Sequence, residues 1–247
     1  MLSYKDIIKL DSVDSTNLYA IKLIKEKKIN RDALIWAKEQ ISGKGQGSNK
    51  WLSKANENLT FSIIVFPDIS VDDNFLLLEN VCLSLCDFFE EFQINAEIKW
   101  PNDIYVGDKK ICGVLIENIF KSNLIMASVI GIGININQDR FPQKLKNPVS
   151  LKNLTSKNYD LETCLLTFIT HFNRNFYSES GKFSIKNNVH HKYKEKIFRF
   201  GIESLYSVNK VENIGKIIDV DTSGLLSVQW KNNYKIEKFA FKEIEMM

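Results

Sequence analysis

The sequence predicts an α+β fold: a mixed, largely antiparallel sheet flanked by helices, followed by a small β-barrel. Three observations carry this expectation. Apolar residues recur at helical spacing in two long stretches, 73–92 and 161–179. Strand-like segments at 96–100, 104–106, 110–118 and 124–136 follow one another closely, and Gly107-Asp108 makes a tight hairpin, so these strands pair antiparallel rather than through a strict βαβ repeat. From Glu203 onward the texture changes to short strands at 205–208, 215–221, 225–230 and 236–241, separated by turns at 221–224 and 231–233.

The elements follow in order. Asp14 or Ser15 caps a first helix, whose Leu18, Ile21 and Ile24 lie on one face before Lys27 and Lys28 end it. A short strand over 33–37 precedes a glycine-rich loop at 43–49. A strongly β segment over 59–66 stops at Pro67. The helix over 73–92 directs Leu76, Leu77, Val81, Leu85, Phe88 and Phe89 inward. Helices over 161–179 and 188–195 lead to a junction at Arg199-Phe200-Gly201. The expected domains are 1–200 and 201–247.

Composition narrows the function class. A chain of 247 residues suffices for one large domain, or for a medium one with a small companion. With 44% hydrophobic and 26% charged residues it reads as an ordinary soluble protein. A net charge of +3 is too small to argue for nucleic acid, and the lysine runs at 22–28 and 192–196 contain glutamates, as solvated helix faces do. The four cysteines form no CxxC, no histidine stands at metal-ligand spacing from them, and Cys82 and Cys86 fall at i, i+4 on an apolar helix face. No metal site is expected, and the chain reads as reduced and cytoplasmic. Asp6 arrives before any apolar core a signal peptide would need, and no apolar run approaches the roughly 18 residues of a membrane span. His171, His190 and His191 receive no catalytic role. His190 and His191 are expected on an exposed polar helix.

Two stretches are not explained by folding alone. Ser42 to Trp51 (SGKGQGSNKW) alternates glycines that let backbone N–H groups turn toward an anion, with Lys44 and Lys50 adding charge. It is not a P-loop, since Lys44 is followed by Gly45, and it is not a dinucleotide fingerprint, since Ser48 stands where a third glycine belongs. A flexible surface loop remains the alternative. Lys99-Trp100-Pro101-Asn102-Asp103 sets a lysine, an indole, an amide and an acid where a strand ends. A turn capped by Asn102 and Asp103 is the purely structural alternative there.

Together these stretches resemble the biotin protein ligase family over nearly the whole chain. Asp14-Ser15-Thr16-Asn17 opens the first helix. Gln40 with 43–51 is similar to the family's GRGRxGRxW loop, 99–103 to its KWPND, 110–115 to KxxGxL, and 131–137 to GxGxNxN. The form resembled lacks the N-terminal DNA-binding domain, since the match begins at Asp14. The resemblance implies a synthetase-like catalytic fold with a C-terminal SH3-like domain. It implies an ATP-dependent ligase that makes biotinyl-5′-AMP and passes biotin to a lysine of a biotin carboxyl carrier domain, such as that of acetyl-CoA carboxylase. Biotin, ATP and Mg²⁺ would be required; neither nucleic acid nor membrane is an expected partner, and a homodimer is left open.

The same resemblance implies the site. Lys110, Asp103 and Lys44 would be catalytic, with Asp103 positioning the acceptor amine and taking its proton. Ser15, Thr16, Asn17, Gln40, Gly43, Lys110 and Gly113 would hold biotin. Lys44, Gly45, Gln46, Trp51, Asn102 and Asn135 would hold the nucleotide or adenylate, with Trp51 on adenine. The loop departs from the family pattern: Lys44 and Gln46 stand where arginines are usual, which removes fixed charge and bidentate reach. A lipoate or octanoate ligase of the same fold, whose arginine-rich, triple-glycine segment is absent here, and a non-catalytic biotin-binding or regulatory protein are the alternatives.

Overall fold

Two strands separated by one amphipathic helix form a parallel pair: β1 (Ile7–Val13) lies beside β2 (Ala33–Gln40) across α1 (Thr16–Lys25). The computed structural model describes residues 1–47, 49–185 and 188–247, so Ser48 of the glycine-rich stretch lies outside the described residues. Ser15, not Asp14, caps α1, its hydroxyl accepting from Leu18 N. β1 is a strand the sequence does not announce. Its residues are mostly half-exposed or exposed, and pairing with β2 rather than its own pattern makes it a strand.

The remaining pairings of the main sheet are antiparallel. β3 (Leu59–Val65), β5 (Glu97–Lys99), β6 (Asp103–Val106), β7 (Lys109–Lys121) and β8 (Leu124–Ile134) complete the order β1-β2-β3-β8-β7-β6-β5, with the short β4 (Ile69–Ser70) also on β8. The expected mixed sheet is present, and β7 and β8 form its long central hairpin, Cys112↔Ile134 to Lys121↔Leu124.

Helices cover both faces. α2 (Asn74–Glu90), α4 (Leu161–Phe176) and α5 (Val189–Glu195) belong with the larger core, and α3 (Leu151–Thr155) follows the loop after β8. Of the six residues assigned to the inner face of α2, Leu77, Val81, Leu85, Phe88 and Phe89 are buried, while Leu76 is half-buried. Cys82, Cys86, Cys112 and Cys164 are free and buried, as core residues should be. α1 covers the opposite face through Ala20 and Ile24 against Ile35, Ile64 and Val129. No helix among the described residues is long and apolar enough to cross a membrane.

One sequence expectation is corrected here. His190 is not free on a polar face. It lies 2.5 Å from Glu79 of α2, whose carboxyl is fully buried. The short helix turns His190 inward with Val189 and Tyr193 and leaves His191 outward.

The C-terminal segment forms a separate antiparallel sheet ordered β12-β11-β10-β9-β13, from β9 (Ser204–Val208), β10 (Val211–Val220), β11 (Leu226–Trp230), β12 (Ile236–Phe239) and β13 (Glu245–Met246). β13 adds a fifth strand to the four expected. The hydrophobic core does not stop at the junction: one buried cluster includes Phe61 and Phe168 of the main body together with Tyr206, Ile217 and Val228 of the second sheet.

Candidate active site

The floor of the site is built from backbone. On the central hairpin Gly131 faces Ser62 on one side and Leu115 on the other, and Gly133 faces Thr60 and Gly113. These glycines are required by what lies on them. A Cβ at Gly131 would overlap the Asn17 carboxamide, and one at Gly133 would overlap the Trp51 indole. Gly113 carries Trp51 and Lys110 in the same way, a Cβ there lying 3.2 Å from both.

At one end, neutral polar groups converge in a buried corner. Thr16 N–H donates to Gln40 Oε1 at 2.8 Å, and the Thr16 hydroxyl lies 3.1 Å from the same oxygen. This fixes the Gln40 amide, so its Nε2 faces Gly43. Ser62 Oγ lies 2.6 Å from Asn17 Oδ1 and 2.7 Å from Thr16 Oγ1, and Asn17 Nδ2 donates to Glu117 Oε2 at 2.7 Å. Ser62 and Glu117 are functional candidates that sequence reasoning missed. Ser15, Thr16 and Asn17 are nearly inaccessible, so each polar atom there must be matched by protein or by ligand.

At the other end stand cations. Lys110 Nζ pairs with Asp103 Oδ1 at 2.6 Å and lies 5.8 Å from the Trp51 ring centre. Lys44, Lys50 and Lys99 line the same space. Burial pulls the Lys99 ammonium below its usual pKa, and the nearby Asp103 and Glu245 carboxylates partly offset this. Trp51 Nε1 is buried without a hydrogen-bond partner among the described residues, a donor left over for a ligand.

The glycine-rich segment arches over this end as a short ribbon. Trp51 N donates to Gly43 O and Gly45 N to Asn49 O, both at 2.9 Å, while Lys44 and Lys50 form a bridge. Gln46 Oε1 accepts from Asn102 Nδ2 at 2.9 Å, and Asn102 Nδ2 also reaches Val114 O at 2.6 Å. The residue that departs from the arginine pattern therefore latches the flap to the sheet by an uncharged bond.

The five residues 99–103 divide their work. Lys99 Nζ donates to Met246 O at 3.3 Å, and Trp100 Nε1 donates to Gly224 O at 3.1 Å, so both hold the C-terminal sheet. Pro101 O accepts from the Tyr193 hydroxyl of α5 at 2.7 Å. Asn102 holds the flap, and Asp103 holds Lys110. A cavity of about 250 Å³ lies among these groups, and Phe241, Ile244 and Met246 of the C-terminal segment close it.

Of the residues expected in the site, all but Asn135 and Gly43 line this cavity, and Gly43 stands at the flap's base against Gln40 and Trp51. Asn135 is corrected. It is buried beneath the sheet end, its Nδ2 donating to Val149 O at 3.0 Å and its backbone N to Ile111 O at 2.9 Å. It ties down the loop before α3 and does not line the cavity. The thiols of Cys82 and Cys112 are driven well above their usual pKa by burial, so neither is a nucleophile near neutrality.

Known proteins are similar to this chain in sequence and fold. A family model described as "Biotin/lipoate A/B protein ligase family" matches residues 10–135. The bifunctional ligase/repressor BirA of Bacillus spizizenii is 33% identical over 144 residues, 57% of this chain and 44% of the relative. A biotin–[acetyl-CoA-carboxylase] ligase of Paracoccus denitrificans is 28% identical over 130 residues, 51% of this chain and 53% of that one. The matches thus span about half the length of these curated relatives or less. A solved biotin protein ligase from Aquifex aeolicus, in complex with biotin and ATP, superposes with a TM-score of 0.76 at 26% identity, covering 99% of both chains. The glycine floor, the latched flap and the polar corner are therefore those of a chain that belongs to the biotin/lipoate A/B protein ligase family.

Proposed function

We propose that this chain activates biotin with ATP as biotinyl-5′-AMP and transfers the biotinyl group to a lysine of a carboxylase carrier domain. The observation that carries the reading is the polarity of one cavity: uncharged hydroxyls and amides at one end, and at the other four lysines that outnumber the two carboxylates, Asp103 and Glu245. The neutral corner of Ser15, Thr16, Asn17 and Gln40 suits a ureido ring, which offers two N–H donors and a carbonyl. A dithiolane ring, as in lipoate, offers those groups no matching donor or carbonyl.

In the first step a biotin carboxylate oxygen attacks the α-phosphorus. The new O–P bond forms as the bond to pyrophosphate breaks, and pyrophosphate leaves with the electron pair. Two anions must meet, so fixed cations supply the catalysis. Lys110 turns from Asp103 toward the developing negative charge, Lys44 and the flap amides of Gly43 and Gly45 face the phosphates, and the Trp51 ring covers the adenine. Magnesium belongs to the nucleotide as its counter-ion. Among the described residues no three His, Cys, Asp or Glu side chains converge to hold a metal themselves.

In the second step a neutral lysine amine attacks the mixed anhydride. Asp103, released from Lys110, orients that amine and takes its proton. The setting proposed is the cytoplasm, and the acceptor is the carrier domain of acetyl-CoA carboxylase or a related carboxylase.

The test is incubation with biotin, Mg-ATP and an apo carrier domain, read by intact mass, alongside pyrophosphate exchange driven by biotin or by lipoate. A carrier mass increased by one biotinyl group is expected. Exchange driven by lipoate and not by biotin would replace this reading.

A further inference from the structure

The turn that precedes Asp103 is anchored at three points, and one anchor comes from the helical layer. Lys99 of β5 pairs with Asp103 of β6, so residues 100–102 form the tip of a tight hairpin. Trp100 ties that tip to the second sheet, and Asn102 ties it to Val114 and the flap. Between them Pro101 has only a carbonyl to offer. That carbonyl accepts from the Tyr193 hydroxyl at 2.7 Å, and the Cys82 thiol of α2 stands 4.0 Å from it. A thiol is a weak donor, so Tyr193 supplies the stronger bond.

Tyr193 is itself held firmly. It is fully buried, and its ring packs edge-on with Phe75 of α2, centroids 5.5 Å apart. The short helix α5 that bears it is fastened to three other elements. His190 meets Glu79 of α2, and Lys194 Nζ donates to Asp219 of β10 at 3.0 Å. Just beyond the helix the chain bonds to β5: Ile98 N donates to Lys196 O at 2.7 Å, and Phe198 N donates to Ile98 O at 2.9 Å. A hydroxyl with so little freedom fixes the carbonyl it binds, two residues before Asp103.

This anchor bears on one stage of the reaction. In the free site Lys110 holds the Asp103 carboxylate at 2.6 Å. Once Lys110 has turned to the phosphate that hold is gone, and the backbone of the hairpin has to keep the carboxylate where the acceptor amine meets it. A displacement of about 1 Å there costs as much as about 10²-fold in rate. On the reading given under Proposed function, we propose that Tyr193 is a positioning residue for the transfer step. Through the Pro101 carbonyl it sets Asp103 to receive the amine's proton, and it does so from outside the cavity, which it does not line.

The test removes the hydroxyl and keeps the ring. Tyr193→Phe is compared with the unaltered chain, with Asp103→Ala, with the double variant, and with Ser84→Ala. The last deletes another fully buried hydroxyl, whose bonds go to Asn80 and Asn175 and not to residues 99–103. Maximal single-turnover transfer to an apo carrier domain should fall about tenfold in Tyr193→Phe, while the carrier concentration giving half that rate and biotin-driven pyrophosphate exchange each stay within about twofold. The double variant should be at most about twofold slower in transfer than Asp103→Ala, since a residue that acts through another adds nothing once the other is gone. Ser84→Ala should transfer at the unaltered rate. Unchanged transfer in Tyr193→Phe or in Asp103→Ala overturns the proposal. So does an equal fall in Ser84→Ala, an equal fall in exchange, or a double variant slowed by the product of the two single effects. Absence of exchange in the unaltered chain instead removes the ligase reading on which the proposal rests.

Discussion

Lys110 and Asp103 reach each other from neighbouring strands, Nζ to Oδ1 at 2.6 Å, and each occupies the other until substrates arrive. The pair is partly open to solvent, so it stabilises the fold little. Its consequence is kinetic. Lys110→Ala is expected to slow adenylation about 10²-fold or more, as loss of a charge-stabilising donor does. Asp103→Ala should slow carrier transfer about 10²-fold or more while leaving adenylation much less affected. Single-turnover assays of each step separate the two, and equal loss in both steps for Asp103→Ala removes its role as proton acceptor.

Glu117 holds the Asn17 amide in one orientation and thereby sets Ser62 and Thr16. Glu117→Ala leaves the Asn17 NH₂ without its carboxylate, at about 1–3 kcal/mol. Biotin affinity by titration calorimetry should weaken about tenfold, a loss that conversion of kcal/mol to affinity allows. Carrier affinity should not change. Unaltered biotin binding would make Glu117 a bystander.

Gln46 gives the flap its latch to Asn102. Gln46→Ala removes that bond and should speed escape of biotinyl-AMP into solvent. Gln46→Arg restores a cation over the phosphate and should slow it. Release is measured by trapping free adenylate after a single turnover, and equal rates in all three proteins would detach Gln46 from retention.

Trp100 secures the C-terminal sheet through Gly224 and packs 6.2 Å from Phe241. Trp100→Ala should lower stability by about 3 kcal/mol, the low end for a large aromatic since Trp100 is only half-buried. The KM for ATP should rise as well, since Phe241 and Met246 help close the cavity. Chemical denaturation and initial rates check the two effects.

Glu79 is pushed up to about 7 by burial, while His190 and Lys194 pull it down. A carboxyl raised in the folded state favours folding below the unfolded value near 4.5, and that contribution is lost as pH rises toward 7. The change is about 3 kcal/mol at 1.36 kcal/mol per unit. The unaltered chain should therefore lose urea resistance between pH 4.5 and 7 relative to Glu79→Gln. Parallel pH profiles for the two proteins would show that the pair carries no such linkage.

What the sequence made legible was local. The α2 periodicity, the 107–108 hairpin and the string 99–103 could be read directly because their signals lie within a few residues. Ser62 and Glu117 could not. A serine inside a hydrophobic strand and a glutamate on a half-buried one carry no local sign of meeting Asn17, which is 45 and 100 residues away respectively. β1 was illegible because an edge strand is defined by its neighbour. Trp100 lines the cavity and also holds the second sheet, a contact 124 residues away that its own string does not announce, while Asn135 sits in a family-like string yet spends its amide on Val149.

The buried cluster that joins the two sheets restricts how the molecule can move. Parting them would expose Tyr206, Ile217 and Val228 to water, a far larger penalty than opening a ribbon held by a few amide contacts. Breathing should therefore concentrate in the flap residues 42–47 and 49–51, and a shortened chain lacking the second sheet should lose its fold rather than merely its grip on nucleotide.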